Sequence, residues 1–211
     1  NSCAPGSAIR LIDGGGAVTC EVIPSVPPPA TPGQLIPFSS GIIINGSTMT
    51  DASPRLLGFG SNTVEVIDGS GESTMPPEAA GFSFPIAANG VISNLAVSTD
   101  LFVQSIGLIN VIPLTYVFTV FRSSSVPSNG TAHVASPYIT TSFTTSVTFG
   151  GPSNSLIAST FYAATSIAAG PLAVSAGDRI GIRVRTALNS NPSASDVSQV
   201  SFSASLSYVP N

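Results

Sequence analysis

Between Arg122 and Asp178 the chain runs for 55 residues without an aspartate, glutamate, lysine or arginine. Charged residues make up only 8% of the whole chain, and lysine is absent. Soluble domains commonly carry about a quarter. The polar work falls to serine, threonine and asparagine. A surface of that kind suits permanent burial against neighbouring subunits, or a coat of glycan. It does not suit a site that must hold a phosphate backbone or activate a nucleophile.

The remaining composition narrows the class. A length of 211 residues allows one large all-β domain, or a domain with a small appendage, and 43% apolar residues can fill its core. Mean hydropathy is positive, yet no run approaches the roughly 20 apolar residues of a membrane-spanning helix. The most apolar stretches are interrupted by Asn110, Pro113, Thr115 and Thr119, or by Ser166 and Pro171. No membrane insertion is expected. A net charge of −4, with six arginines against ten acids, excludes nucleic acid as a natural partner. The chain opens on Asn-Ser-Cys without a signal peptide, so an exported form is expected to be a mature or truncated one. Cys3 and Cys20 fit an oxidising, extracellular setting and a disulfide; the alternative is two unrelated thiols.

Three segments follow in order. Residues 1–23 hold two β-prone runs, Ala8 to Ile12 and Ala17 to Ile23, on either side of Asp13-Gly14-Gly15-Gly16. That is a hairpin signal, and the hairpin brings Cys3 towards Cys20. A lone two-stranded hairpin is marginal in water, so it needs the disulfide or something to pack on. Residues 24–34 are proline-rich and predict an extended, semi-rigid linker.

Residues 35–211 read as β-strands with no convincing helix. In Val200 to Tyr208 the apolar residues Val200, Phe202, Ala204, Leu206 and Tyr208 alternate with four serines, so one face is buried. Ile180, Ile182 and Val184 alternate in the same way with Arg179, Arg183 and Arg185. Further strands are expected near 55–59, 62–67, 81–87, 90–103 and 138–149. Asn-Gly pairs at 45, 89 and 129, and Asp-Gly at 68, favour tight turns. Eight to ten such strands make a β-sandwich of the jelly-roll kind. Leu114 to Phe121 is apolar on both sides. The predicted assembly interface is therefore Leu114, Tyr116, Val117, Phe118, Val120 and Phe121, a strand inside the sandwich and also beneath a subunit contact.

Candidate chemistry is sparse. The one histidine, His133, has no nearby carboxylate in sequence, and no Gly-x-Ser-x-Gly elbow exists, so it reads as an ordinary loop or strand residue and no catalytic group is predicted. Asp68-Gly69-Ser70-Gly71-Glu72 offers too few oxygens for calcium and reads as a turn; no metal or cofactor is expected. Gly14-Gly15-Gly16 lacks the lysine and helix of a phosphate loop. The arginines near 180 read as a solvated strand face, or as pairs with acids such as Asp178. Asn45 and Asn129 fit the N-glycan pattern but double as turns. Thr31 and the region from Thr140 to Thr148 are candidate O-glycan sites.

Several segments resemble a known family. Leu35-Ile36-Pro37-Phe38-Ser39-Ser40-Gly41, Leu56-Leu57-Gly58-Phe59-Gly60, Gly90-Val91-Ile92-Ser93-Asn94-Leu95-Ala96-Val97 and Ala176-Gly177-Asp178-Arg179-Ile180 are similar, in order and spacing, to the C-terminal domain of bacterial collagen-like glycoproteins of the spore exosporium. The resemblance covers roughly residues 35–209. It implies a jelly roll like that of tumour necrosis factor and the complement globular head, trimers packed on apolar strand faces, surface layers or fibres, and no enzymatic activity. The first segment resembles a short cysteine-bounded hairpin of bacterial extracellular proteins. No Gly-X-Y repeat occurs in the chain, so the hairpin and linker become the expected joint between subunits. Pairing of this arm with the next subunit's open sheet edge would make a fibre that does not close. The expectation is an extracellular, self-assembling subunit of a surface filament or layer; the alternative is a discrete trimeric head that binds a glycan or host ligand.

Overall fold

A serine at every second position from Ser201 to Ser207 leaves Val200, Phe202, Ala204, Leu206 and Tyr208 on one side of an extended strand, and all five are buried. The same period-two logic organises most of the protein. The computed structural model describes residues 3–5, 7–22, 33–46, 53–65, 81–104, 113–123, 138–150, 156–187 and 197–211. They fall into two compact units, Asn1–Pro32 and Gly33–Asn211.

The first unit is a hairpin of β1 (Ser7–Ile12) and β2 (Val18–Val22). Its turn is fixed by Asp13, whose Oδ1 accepts hydrogen bonds of 2.9 Å from the backbone N–H groups of Gly15 and Ala17. Gly16 supplies the positive φ of 82° that closes the turn. The Cys3–Cys20 disulfide ties the preceding segment to β2, with the two Cα atoms 5.6 Å apart. A bulge between Ile9 and Leu11 shifts the register at Arg10.

The second unit contains β3 (Gln34–Ser39), β4 (Arg55–Leu57), β5 (Asn62–Val64), β6 (Phe84–Pro85), β7 (Gly90–Val103), β8 (Leu114–Ser123), β9 (Ile139–Phe149), β10 (Thr160–Val174), β11 (Arg179–Thr186) and β12 (Val197–Pro210). One sheet has the order β10-β7-β12-β3. The other runs β5-β4-β11-β8-β9, with β6 also on β11. Apart from the short β5 and β6, the pairs are nested: β3 with β12, β4 with β11, β7 with β10, and β8 with β9, all antiparallel. A long hairpin wound into two facing sheets has this connectivity, and it defines a jelly roll.

Both sheets feed one core. Leu114, Tyr116, Phe118 and Val120 of β8 meet Val200, Phe202, Ala204 and Leu206 of β12 there. The Phe202 ring stands edge-on to Tyr116 and Phe118, with centroids 5.1 and 5.8 Å away. Burying one such side chain stabilises the fold by roughly 1.5–3 kcal/mol. Burial also pushes the Tyr116 phenol far above its ordinary pKa.

Two expectations are corrected here. The strand β10, 15 residues long, is absent from the strands expected from the sequence. Its five alanines, with Gly170 and Pro171, interrupt the β-branched and aromatic residues Thr160, Phe161, Tyr162, Thr165, Ile167 and Val174. The predicted interface on β8 is not a surface. Leu114, Tyr116, Phe118 and Val120 are sealed in the protomer's own core, and Phe121 is fully buried on the opposite side. A register shift between Thr119 and Phe121 breaks the alternation. Phe121 then lies beside Leu56, Tyr138 and Phe82 of the same chain. Gly181, opposite Phe121, leaves room for the ring, because a Cβ there would sit 2.2 Å from it. Of the six residues only Val117 keeps partial exposure.

Candidate assembly surface

The two outer faces of the sandwich differ in chemistry. On the β5-β4-β11-β8-β9 sheet the outward residues are largely occupied by their own chain. Arg183 projects outward, yet it is covered and forms a two-pronged ion pair with Glu65, Nε to Oε2 at 2.5 Å and Nη2 to Oε1 at 2.7 Å. Its side chain is 3% exposed and that of Glu65 fully buried. At the centre of the arginine row the structure therefore has the acid-paired alternative and not a solvated side chain, with Glu65 as the acid. Arg179 lies over the Tyr138 ring, 4.8 Å from the centroid. Burial raises the Tyr138 pKa, opposed by a hydrogen bond with Ser83 and by the Arg179 charge. Arg122 approaches Asp178 at 3.9 Å. Threonines bridge β8 and β9, Thr115 to Thr148 at 3.0 Å and Thr119 to Thr144 at 3.3 Å. Such hydroxyl pairs stabilise the sheet.

The outer face of the β10-β7-β12-β3 sheet is open. Asp100 is the one charged residue in its four strands. The cross-strand register lays out its rows. Thr165, Ser98, Ser203 and Ser39 form one, and Ile167, Ala96, Ser205 and Pro37 the next. At the other end Phe161 stacks on Phe102, with centroids 4.5 Å apart. Phe161 is 76% exposed and Ile167 73%. Small side chains between these apolar ones leave two shallow depressions. One, of about 570 Å³, is lined by Pro37, Ala96, Ser98, Thr165, Ile167 and Ser205, among others. The second, of about 300 Å³, lies between Asp100, Phe102, Phe161, Ile43 and Gln199. Exposed Phe161 and Ile167 on a sheet with a single charge make this face the candidate interaction surface. The signal was present in the sequence as the outward residues of Thr160–Val174, but reading it required recognising that segment as a strand.

The sheet edges are less receptive. β3 has six residues and carries Pro37, which has no N–H to donate, and β5 has three residues. At the far side β9 and β10 come together across the sandwich, where the Thr145 and Ser166 hydroxyls are 2.8 Å apart.

Other sequence candidates are distributed as follows. Asn45 is exposed beside the Ile44–Val200 bridge. Thr31, Asn129, His133 and the Asp68–Glu72 loop lie outside the described residues, as does most of the proline-rich segment. Among the described residues no three of His, Cys, Asp or Glu converge as a metal site would require.

No protein-family model matches the chain, and no characterised protein matches it in sequence. Solved structures do match in fold. One is the Eiger TNF of S. frugiperda, at 11% identity and a TM-score of 0.35, over 86% of this chain and 96% of that one. At that score the likeness adds nothing to the nested strand pairing, which establishes the jelly roll by itself.

Proposed function

We propose that this protein is an extracellular structural protein: a self-assembling subunit of a filament or layer on a cell or spore surface, joined through its N-terminal arm and without catalytic activity. The observation that carries the reading is the open, nearly uncharged face of the β10-β7-β12-β3 sheet, with Phe161 and Ile167 standing out from it. A free monomer gains nothing from such a face, whereas a subunit buries it. The disulfide supports an oxidising location. The similarity of residues 35–209 to exosporium heads points the same way.

Electron microscopy of the full chain, beside a chain lacking residues 1–34, tests the proposal. Filaments or sheets from the full chain that vanish on deletion support it. A monomer at every concentration, or assemblies indifferent to the deletion, would sink it.

A second reading, a discrete trimeric head that binds glycan, draws on the smaller depression. Its stacked Phe102 and Phe161 offer an aromatic platform beside the Asp100 carboxylate and the Gln199 amide. Closed trimers that retain a sugar on a glycan array would favour it.

A further inference from the structure

We infer that the disulfide hairpin of one copy seats its apolar face on the outer face of the β10-β7-β12-β3 sheet of a second copy. The inference rests on the proposed arm-joined assembly and names the receiving surface.

The hairpin has two unlike faces. Its register places Ile9 opposite Cys20, Ser7 opposite Val22, and Ile12 opposite Val18. Side chains of cross-strand partners share a face, so Ile9, Ile12, Val18, Val22 and the disulfide lie together. The other face carries Ala8, Thr19 and Glu21, with Leu11, 60% exposed, as its one large apolar residue. Ile9, Ile12 and Val22 are 53%, 61% and 73% exposed. Two strands have no second layer to cover such a face, and a hairpin of this size is marginal alone. The occupant must be apolar, nearly uncharged and flat.

The open sheet face meets those conditions. Large residues on the hairpin meet small ones on the sheet, as interdigitating layers require. The length agrees as well. The two depressions together are lined by β7 residues from Ala96 to Phe102, about 20 Å of strand; β1 has six residues. Charge contributes little to the contact: Arg10 is paired within its own hairpin with Glu21 at 3.6 Å, and Asp100 is the one charge in the receiving strands. Edge pairing is the poorer alternative. The proline-bearing β3 and the three-residue β5 offer little ladder, and edge addition leaves the hairpin's apolar face in water. Because hairpin and sheet face are different surfaces, the contact is heterologous and propagates head to tail.

The test is a mixing experiment on full chains. Ile12→Asp spoils the hairpin face, and Ser203→Arg fills the larger depression. Both positions are exposed, so each fold is expected to survive, checked by far-ultraviolet circular dichroism. Ala163→Arg, also exposed and beside Asp100, is the second face variant should Ser203→Arg misfold. In sedimentation velocity each variant alone is expected to run as a monomer. A 1:1 mixture is expected to give a species of twice the monomer mass and nothing larger, since only one intact hairpin meets one intact face. A mixture that stays monomeric overturns the inference, as does an Ile12→Asp or Ser203→Arg polymer as long as the wild type. If the wild type polymerises and Ile12→Asp does not, while both face variants still polymerise, the arm-joined assembly stands and this receiving face falls. If the wild type never assembles, both fall.

Discussion

The Glu65–Arg183 pair gives the sharpest test of the packing. Its two hydrogen bonds, at 2.5 and 2.7 Å, are those of a guanidinium fork on a carboxylate, and both side chains are at least 97% covered. Replacing Glu65 by leucine leaves a buried cation without its counter-charge. That costs about 3–5 kcal/mol. At roughly 2–4 °C per kcal/mol for a domain of this size, melting should fall by about 6–20 °C. Arg183→Met should cost a similar amount, because it strands the carboxylate. The double variant Glu65→Leu/Arg183→Met strands neither group and should lie within about 1 kcal/mol of wild type, or above it. A urea-unfolding double-mutant cycle, repeated in high salt, measures this. The coupling energy should exceed about 2 kcal/mol and survive the salt, since ions do not penetrate a covered pair. Single variants costing below about 1 kcal/mol, or coupling abolished by salt, would refute the reasoning and return the pair to the solvated strand face expected from sequence.

Other consequences are testable with the same methods. The Tyr116 hydroxyl is buried and finds no partner among the described residues, so Tyr116→Phe should raise stability by about 1 kcal/mol; a loss above that would reveal a hydrogen bond. The folded-state pKa of Tyr116 is raised by burial, so the fold favours the protonated phenol. Its contribution is complete below the unfolded value of 10.0 and is lost as pH rises beyond it. Plotting urea midpoints against pH should show the alkaline limb of Tyr116→Phe shallower by about 1.4 kcal/mol per pH unit, and an unchanged slope would contradict this. Gly181→Ala drives a methyl into the Phe121 ring and should destabilise by about 1–3 kcal/mol; a neutral result would mean that the ring has room to retreat. Cys3→Ser opens a loop with a sequence separation of 17 and should cost the hairpin about 3 kcal/mol. Amide exchange across β1 and β2 should then lose its protection, and retained protection would show that something else holds the hairpin.

Much of the architecture is legible in the residue pattern, for identifiable reasons. The serines of β12 and the arginines of β11 sit at every second position, so the inward faces of both strands can be read directly. Asp13 and the three glycines after it announce the turn. Other features carry no local signal. Arg183 finds Glu65 across 118 positions, and nothing near either residue indicates the other. The double-sided burial of β8 is visible as composition, but its cause is not. The Thr119–Phe121 register shift and the approach of Tyr138 decide that the chain covers itself there. In β10 five alanines, Gly170 and Pro171 break up the β-branched and aromatic residues that would otherwise mark a strand. The open face it helps to build was hidden with it.

The order of strands in the β10-β7-β12-β3 sheet has a consequence for biosynthesis. β12 is the last strand of this chain, yet it lies between β7 and β3 and pairs with both. Leu35 waits for Ser207, which lies 172 positions further along. Until residues 197–210 are made, β3 has no partner in its sheet and β7 has lost one side. Contacts of such long range form late and slowly. The sandwich therefore cannot close before residues 197–210 are made, whereas the hairpin is complete by Val22. A polypeptide that stays open until β12 appears remains threadable through a narrow pore, and it acquires its body only after residues 197–210 have passed.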